Sequence, residues 1–229
     1  MRASRPTVTA TFTGPCIVVV CPAADAASLP DRALNAVTAH GEPADGLVPH
    51  FLTRTRWSRK VINYRYGRAV GAPIRLLSLD AMRSAAAAAA GAQWRLWQQV
   101  VAGTRPAAPF WCYAERHRAD PDRHPLHRMQ AEYRAQPRIL AMTAYNALPG
   151  KPCPLPTAAL EQLQNGYLTH VNVAWLAAVP AAGLVTADGD YLTAASQRLA
   201  DRLAYLDAAN AHLAALTGDT VLVAVAAAG

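Results

Sequence analysis

The segment DAMRSAAAAAAGAQWRLWQQVVAG, from Asp80 to Gly103, constrains the fold more than any other stretch of the chain. Alanine has the highest helix propensity, because it loses no side-chain entropy and buries no polar group on coiling. Asp80 reads as an N-cap and Gly103 as the residue that ends the helix in a left-handed conformation. One long helix over this range is therefore expected. Trp94, Trp97 and Val101 recur at i, i+3 and i+7, which puts them on one core-facing stripe. IRLLSL (74–79) before the helix and PFWCYAERHR (109–118) after it read as strands. A strand–helix–strand unit over 74–118 predicts an α/β sheet with a parallel component.

The rest of the chain agrees with that class. TVTATFT (7–13) and IVVV (17–20) read as strands, the second buried. A short helix fits near 30–39, with Asp31 in its first turn. Pro125 suits the first turn of a helix running to Gln136, and Pro137 breaks it before RILAMTAYNAL. PGKPCPLP (149–156) is proline-rich and marks a boundary. It divides the chain into an α/β domain (1–150) and a helical extension (151–229) packed on the same core. In the extension, Thr157 caps a helix up to Gly166. YLTHVNVAWLAAV is a second helix, with Leu168, Val171, Trp175 and Val179 on one stripe. ADGDYL is a turn. A last helix spans about 194–216, with Leu199, Leu203, Leu206, Leu213 and Leu216 recurring on one side. That spacing reads as intradomain core, with a homodimer seam as the alternative. TVLVAV (220–225) closes the chain as a strand. The expected fold is α/β: a mixed or mostly parallel sheet, flanking helices and a mainly helical C-terminal half.

Charge is distributed unevenly. The net charge is +7, and arginine dominates the basic residues. No acidic residue lies between Asp45 and Asp80, yet that window holds Arg54, Arg56, Arg59, Lys60, Arg65, Arg68 and Arg75. Basic and acidic residues balance over the remainder. A coding bias toward alanine and arginine would spread arginine evenly, so it does not account for the acid-free window. Within it, RTRWSRKVINYRYGR interleaves six cations with Trp57, Tyr64 and Tyr66. Cations release counterions from phosphates, and aromatic rings stack on unpaired bases. Residues Arg54, Arg56, Trp57, Arg59, Lys60, Tyr64, Arg65, Tyr66 and Arg68 form a candidate nucleic-acid or nucleotide strip. A solvated rim over core aromatics and an acidic protein partner are the competing readings. The hydrophobic spacing inside the strip fits neither a helix nor a strand cleanly.

Candidate chemistry lies in FWCYAERHRADPDRHPLHRMQAEYR (110–134). If 74–79 and 109–118 are neighbouring strands, Asp80, Glu115 and His117 gather at one sheet edge, where open α/β sheets bind ligands. A carboxylate beside a histidine can orient water or take a proton. His124 and His127 extend that set. His124-x-x-His127 could also hold a metal, but Pro125 lies between the two and no zinc-type ligand motif results. Asp80 as a plain helix cap competes with Asp80 as a catalyst. RMQAEYRAQ resembles, over Arg128, Gln130, Ala131 and Glu132, the short block around the catalytic glutamate of DNA ADP-ribosyltransferase toxins. That resemblance implies a catalytic Glu132. Helix geometry alone makes Glu132 an exposed charge beside Arg128 at i, i+4. The toxins' N-terminal nicotinamide-cofactor motif is not visible in this sequence.

No GxSxG, P-loop or GxGxxG motif occurs, so the cofactor is left open. Cys16, Cys21, Cys112 and Cys153 form no CxxC pair, and Cys112 on a buried strand reads as a small hydrophobe. His170 reads as a satisfied helix histidine. No apolar run suits a signal h-region or a bilayer span, so no membrane partner and a cytoplasmic location are expected. The function read from sequence is an enzyme acting on nucleic acid or nucleotide. A non-catalytic binding or assembly module, or a small-molecule enzyme with an arginine clamp, stands beside it.

Overall fold

A computed structural model describes residues 16–22, 27–42, 44–55, 58, 60–64 and 67–227. The expected strand at 7–13 lies outside these residues. In chain order the elements are β1 (Cys16–Cys21), α1 (Leu29–Ala39), β2 (Ala44–Leu47), β3 (Phe51–Leu52), β4 (Arg68–Ala69), β5 (Gly71–Pro73), α2 (Leu79–Val100), α3 (Phe110–Ala119), α4 (Leu126–Arg134), α5 (Pro137–Ala147), α6 (Leu160–Gln164), α7 (Tyr167–Ala177), β6 (Gly183–Val185), β7 (Tyr191–Thr193), α8 (Leu199–Ala215) and β8 (Val221–Ala227). The fold is α/β, with a mixed sheet and helices concentrated toward the C-terminal half.

The sheet is organised around β1 and β8. Both are continuous apolar runs, CIVVVC and VLVAVAA, and every residue of each is buried. Such runs suit strands covered on both faces, whereas alternating patterns suit strands wet on one side. The two pair antiparallel from Cys16↔Ala226 to Cys21↔Val221. β6 pairs with the other edge of β1 in parallel, and β7 turns back antiparallel on β6. The outer edge of β8 is shared: β2 pairs with Val225 to Ala227, and β5 with Val221 to Val223. Leu29, Ala33 and Val37 of α1, at i, i+4 and i+8, cover the face made by Ile17, Val19, Val223 and Val225.

Two expected strands are corrected. PFWCYAERHR is α3, not a strand. Pro109 starts it with an extended backbone, and Arg116, His117 and Arg118 occupy its last turn, where positive charge meets the partial negative end of the helix. Phe110 and Tyr113, three apart, both pack into the helical core. IRLLSL is a 3-10 turn over Ile74–Leu76 followed by the start of α2. Leu77 keeps only an isolated bridge to Thr53. The long helix itself forms as expected, with Trp97 and Val101 buried and Trp94 packed against the same core.

The chain divides into two compact units. The first, residues up to 85, 175–195 and from 201 onward, carries the sheet, α1 and most of α8. Tyr205, Leu206, Ala209 and Leu213 are the buried residues of α8. The second, residues 86–174 and 196–200, is helical, with a core that includes Trp97, Tyr113, Met129, Ile139, Met142 and Leu163. The loop before α3 is clamped there. Gln164 bonds both backbone groups of Ala107, and Gln136 bonds both of Ala108. On α7 the buried side chains are His170 and Val173, while Leu168 is 79% exposed. That helix is apolar nearly all round, so its stripe does not reveal which side faces inward. His170 Nε2 lies 3.0 Å from Gln93 Oε1, a bonded helix histidine as expected. Among the described residues no helix is long and apolar enough to cross a membrane.

Candidate functional site

The basic segment is the connection of a two-stranded hairpin. β3 and β4 pair antiparallel, Phe51 with Ala69 and Leu52 with Arg68. Phe51, Ala69 and Val70 are buried and anchor its base. Ile62 is a second anchor, buried and bridged to Gly71. Around it the described backbone runs through turns and bends, with Asn63 and Gly67 at positive φ. The ambiguity between helix and strand is thereby settled as neither for the described part.

Arg54, Lys60, Tyr64 and Arg68 are exposed. Arg54 Nε donates to the Leu77 carbonyl at 3.1 Å, and Arg68 Nη1 donates to the His50 carbonyl at 2.6 Å. These bonds tie the two ends of the segment to its frame and leave both charges in place. Arg56, Trp57, Arg59, Arg65 and Tyr66 lie outside the described residues. The ion pairs among the described residues involve other arginines: Arg75 with Asp219, Arg83 with Asp80, Arg128 with Glu132, and Arg198 with Glu115. None involves Arg54, Lys60 or Arg68.

The residues expected to do chemistry have other occupations. Asp80 is exposed in the first turn of α2, 3.5 Å from Arg83. Glu115 and His117 do not gather at a sheet edge, because both stand on helix α3. Glu115 accepts from Arg198, whose guanidinium also sits 4.9 Å above the Trp111 ring. Trp111 Nε1 in turn donates to Glu161, which also accepts the Leu199 backbone N–H. His117 Nδ1 lies 2.9 Å from the His124 carbonyl, so Nδ1 carries the proton and pins the 120–124 turn to α3. His127 is exposed on α4. Glu132 accepts from Arg128 Nε at 2.9 Å, the i, i+4 pair that helix geometry expects. Among the described residues no group of three His, Cys, Asp or Glu side chains stands close enough to hold a metal ion.

One juxtaposition was not foreseen. Cys16, at the start of β1, and His50, after β2, meet at 3.7 Å between Sγ and Nδ1, although 34 residues separate them. His50 Nε2 lies 3.2 Å from the Val179 carbonyl. A carbonyl only accepts, so Nε2 carries the proton and Nδ1 offers its lone pair to the Cys16 thiol. Burial pushes the Cys16 thiol up to about 12. Burial likewise lowers His50 to about 4, helped by the Arg68 charge and opposed by the Val179 and Ala178 carbonyls. Both groups are therefore neutral near pH 7, and the thiol is not poised as a thiolate nucleophile. The pair acts as a part-buried hydrogen-bonded fastener, and through the Arg68 bond it holds one end of the basic segment. No motif in the sequence signals it. Comparison with protein-family models, with characterised proteins and with solved structures gives no match to this chain.

Proposed function

We propose that the segment from Arg54 to Arg68 binds the phosphates of a nucleic acid or nucleotide. The observation that carries this reading is charge left uncompensated. The acid-free window concentrates the basic excess of the whole chain, and Arg54, Lys60 and Arg68 are exposed with no carboxylate partner among the described residues. An arginine-rich protein without an anionic partner would have no reason to exclude every acid from such a window. Exposed Tyr64 adds a ring on which a base can stack. Binding is favoured over catalysis as the primary role. Asp80, Glu115 and Glu132, the carboxylates proposed for chemistry, are each engaged by an arginine.

The test is a titration against fluorescent single- and double-stranded DNA and RNA at several salt concentrations. Arg56, Arg59, Lys60 and Arg65 are changed to Glu together. Arg54 and Arg68 are kept because they bond the frame. The expected result is binding whose log K falls with log salt at a slope of about −0.7 to −0.9 per phosphate neutralised, lost in the variant. Absence of binding at low salt would remove nucleic acid as the partner, and binding unchanged in the variant would remove this segment as the site.

A further inference from the structure

The helical unit has a cavity of about 510 Å³ whose chemistry points to a different ligand from that of the basic segment. Its apolar lining comes from Phe110 of α3, Tyr133 of α4, and Ile139 and Leu140 of α5. Phe110 and Tyr133 meet edge to face at 5.3 Å, and the Tyr133 hydroxyl is already donated to the Thr157 carbonyl. Tyr133 is therefore left to contribute ring surface. Ile139 is fully buried, whereas Leu140 beside it is 53% exposed. A large aliphatic side chain left open next to a cavity is surface that an apolar ligand would cover.

The polar part of the lining is specific. Among the described residues that line the cavity, Arg134, exposed at the end of α4, is the only charged one, and none is a carboxylate. On the same helix Arg128 and Glu132 cancel each other. The Arg134 side chain makes no hydrogen bond or ion pair among the described residues. Thr143 supplies a hydroxyl on the facing helix. Small-molecule sites have about 300–1,000 Å³ of mostly apolar space with a few convergent polar groups. Arginine's planar fork is the side chain best matched to a carboxylate.

We infer that this cavity binds a small hydrophobic monocarboxylate, its apolar body on Phe110, Tyr133, Ile139 and Leu140 and its carboxylate on Arg134. The inference does not depend on the phosphate-binding reading, since the two use different residues in different units.

The probes are octanoate, 1-octanol and acetate, titrated calorimetrically into the full chain. Octanoate is expected to bind with Kd below about 1 mM, with octanol about tenfold weaker and acetate undetected. Arg134→Gln changes an exposed residue without internal partners, so its melting temperature should match the parent. It is expected to weaken octanoate about tenfold, to the level of octanol, and to leave octanol unchanged. Thr143→Trp, which puts a bulky ring into the cavity, should weaken both. The inference is overturned if octanoate fails to bind, if octanol binds as tightly as octanoate, or if Arg134→Gln leaves octanoate affinity intact.

Discussion

His50 shows what a single side chain contributes here and how it can be measured. It is held neutral between a thiol that donates to Nδ1 and a carbonyl that accepts from Nε2, with the Arg68 guanidinium on its own carbonyl. Its folded-state value, about 4, lies below the ordinary 6.5. Above pH 6.5 the folded and unfolded states are both neutral at this position, and its contribution is complete. Between 6.5 and 4 the unfolded chain takes up a proton that the folded chain refuses. Stability therefore falls with pH across that window, by about 1.4 kcal/mol per unit and roughly 3 kcal/mol in all. His50→Gln removes the titration. The urea-unfolding free energy of parent minus variant, measured from pH 7 to 4, is expected to shrink steadily as pH falls. A difference independent of pH would mean that His50 is not held neutral. None of this was legible in the sequence, because Cys16 and His50 carry no local signature and only the fold brings them together. The charge asymmetry of 46–79 was legible, because counting acids needs no structure.

At the scale of elements, legibility depended on whether the pattern was unambiguous by itself. β1, β8 and α2 could be read because a long β-branched run or an alanine tract between Asp and Gly admits one outcome. PFWCYAERHR could not, since the five consecutive apolar or aromatic residues Phe110 to Ala114 suit a strand as well as the buried turn of a helix. With that misreading went the expected sheet-edge site. Glu115 instead pairs with Arg198, 83 residues away, a distance over which no spacing rule operates. The strand pair β5–β8 offers a sharp test of packing. A Cβ built on Gly71 would stand 2.5 Å from the Leu222 carbonyl oxygen and 3.2 Å from the Val223 Cα, both backbone atoms that cannot step aside. A Cβ on Gly183 would meet the Tyr191 ring, at 2.7 Å from Cε2, and that ring is the mobile end of a side chain. Gly71→Ala is expected to cost about 2–3 kcal/mol, and Gly183→Ala about half as much. Urea midpoints of the two variants decide it. Equal losses would show that β5 can pull away from β8 as easily as Tyr191 can swing.

At the scale of the whole molecule, the first described strand is paired with the last. Cys16 stands opposite Ala226, so the sheet cannot close until the residues up to Ala226 have been made. Contacts this distant in sequence carry a large loop-closure entropy before they return any stabilisation, which places the sheet among slowly assembled topologies. Among the described strands, β8 alone serves three others, β1 on one edge and β2 and β5 on the other. Without it, β1 would retain only the short parallel ladder to β6, which spans Ile17 to Val19. A chain ending at Thr220 is therefore expected to lose more than its final strand. Hydrogen exchange of the Ile17 to Val20 amides should accelerate by about 10³-fold or more, since losing the central ladder converts their opening from global to local unfolding. Exchange within about tenfold of the full chain would show that β1, β6 and α1 hold together without the closing strand. In that case the terminal pairing would be a late addition to a sheet already formed.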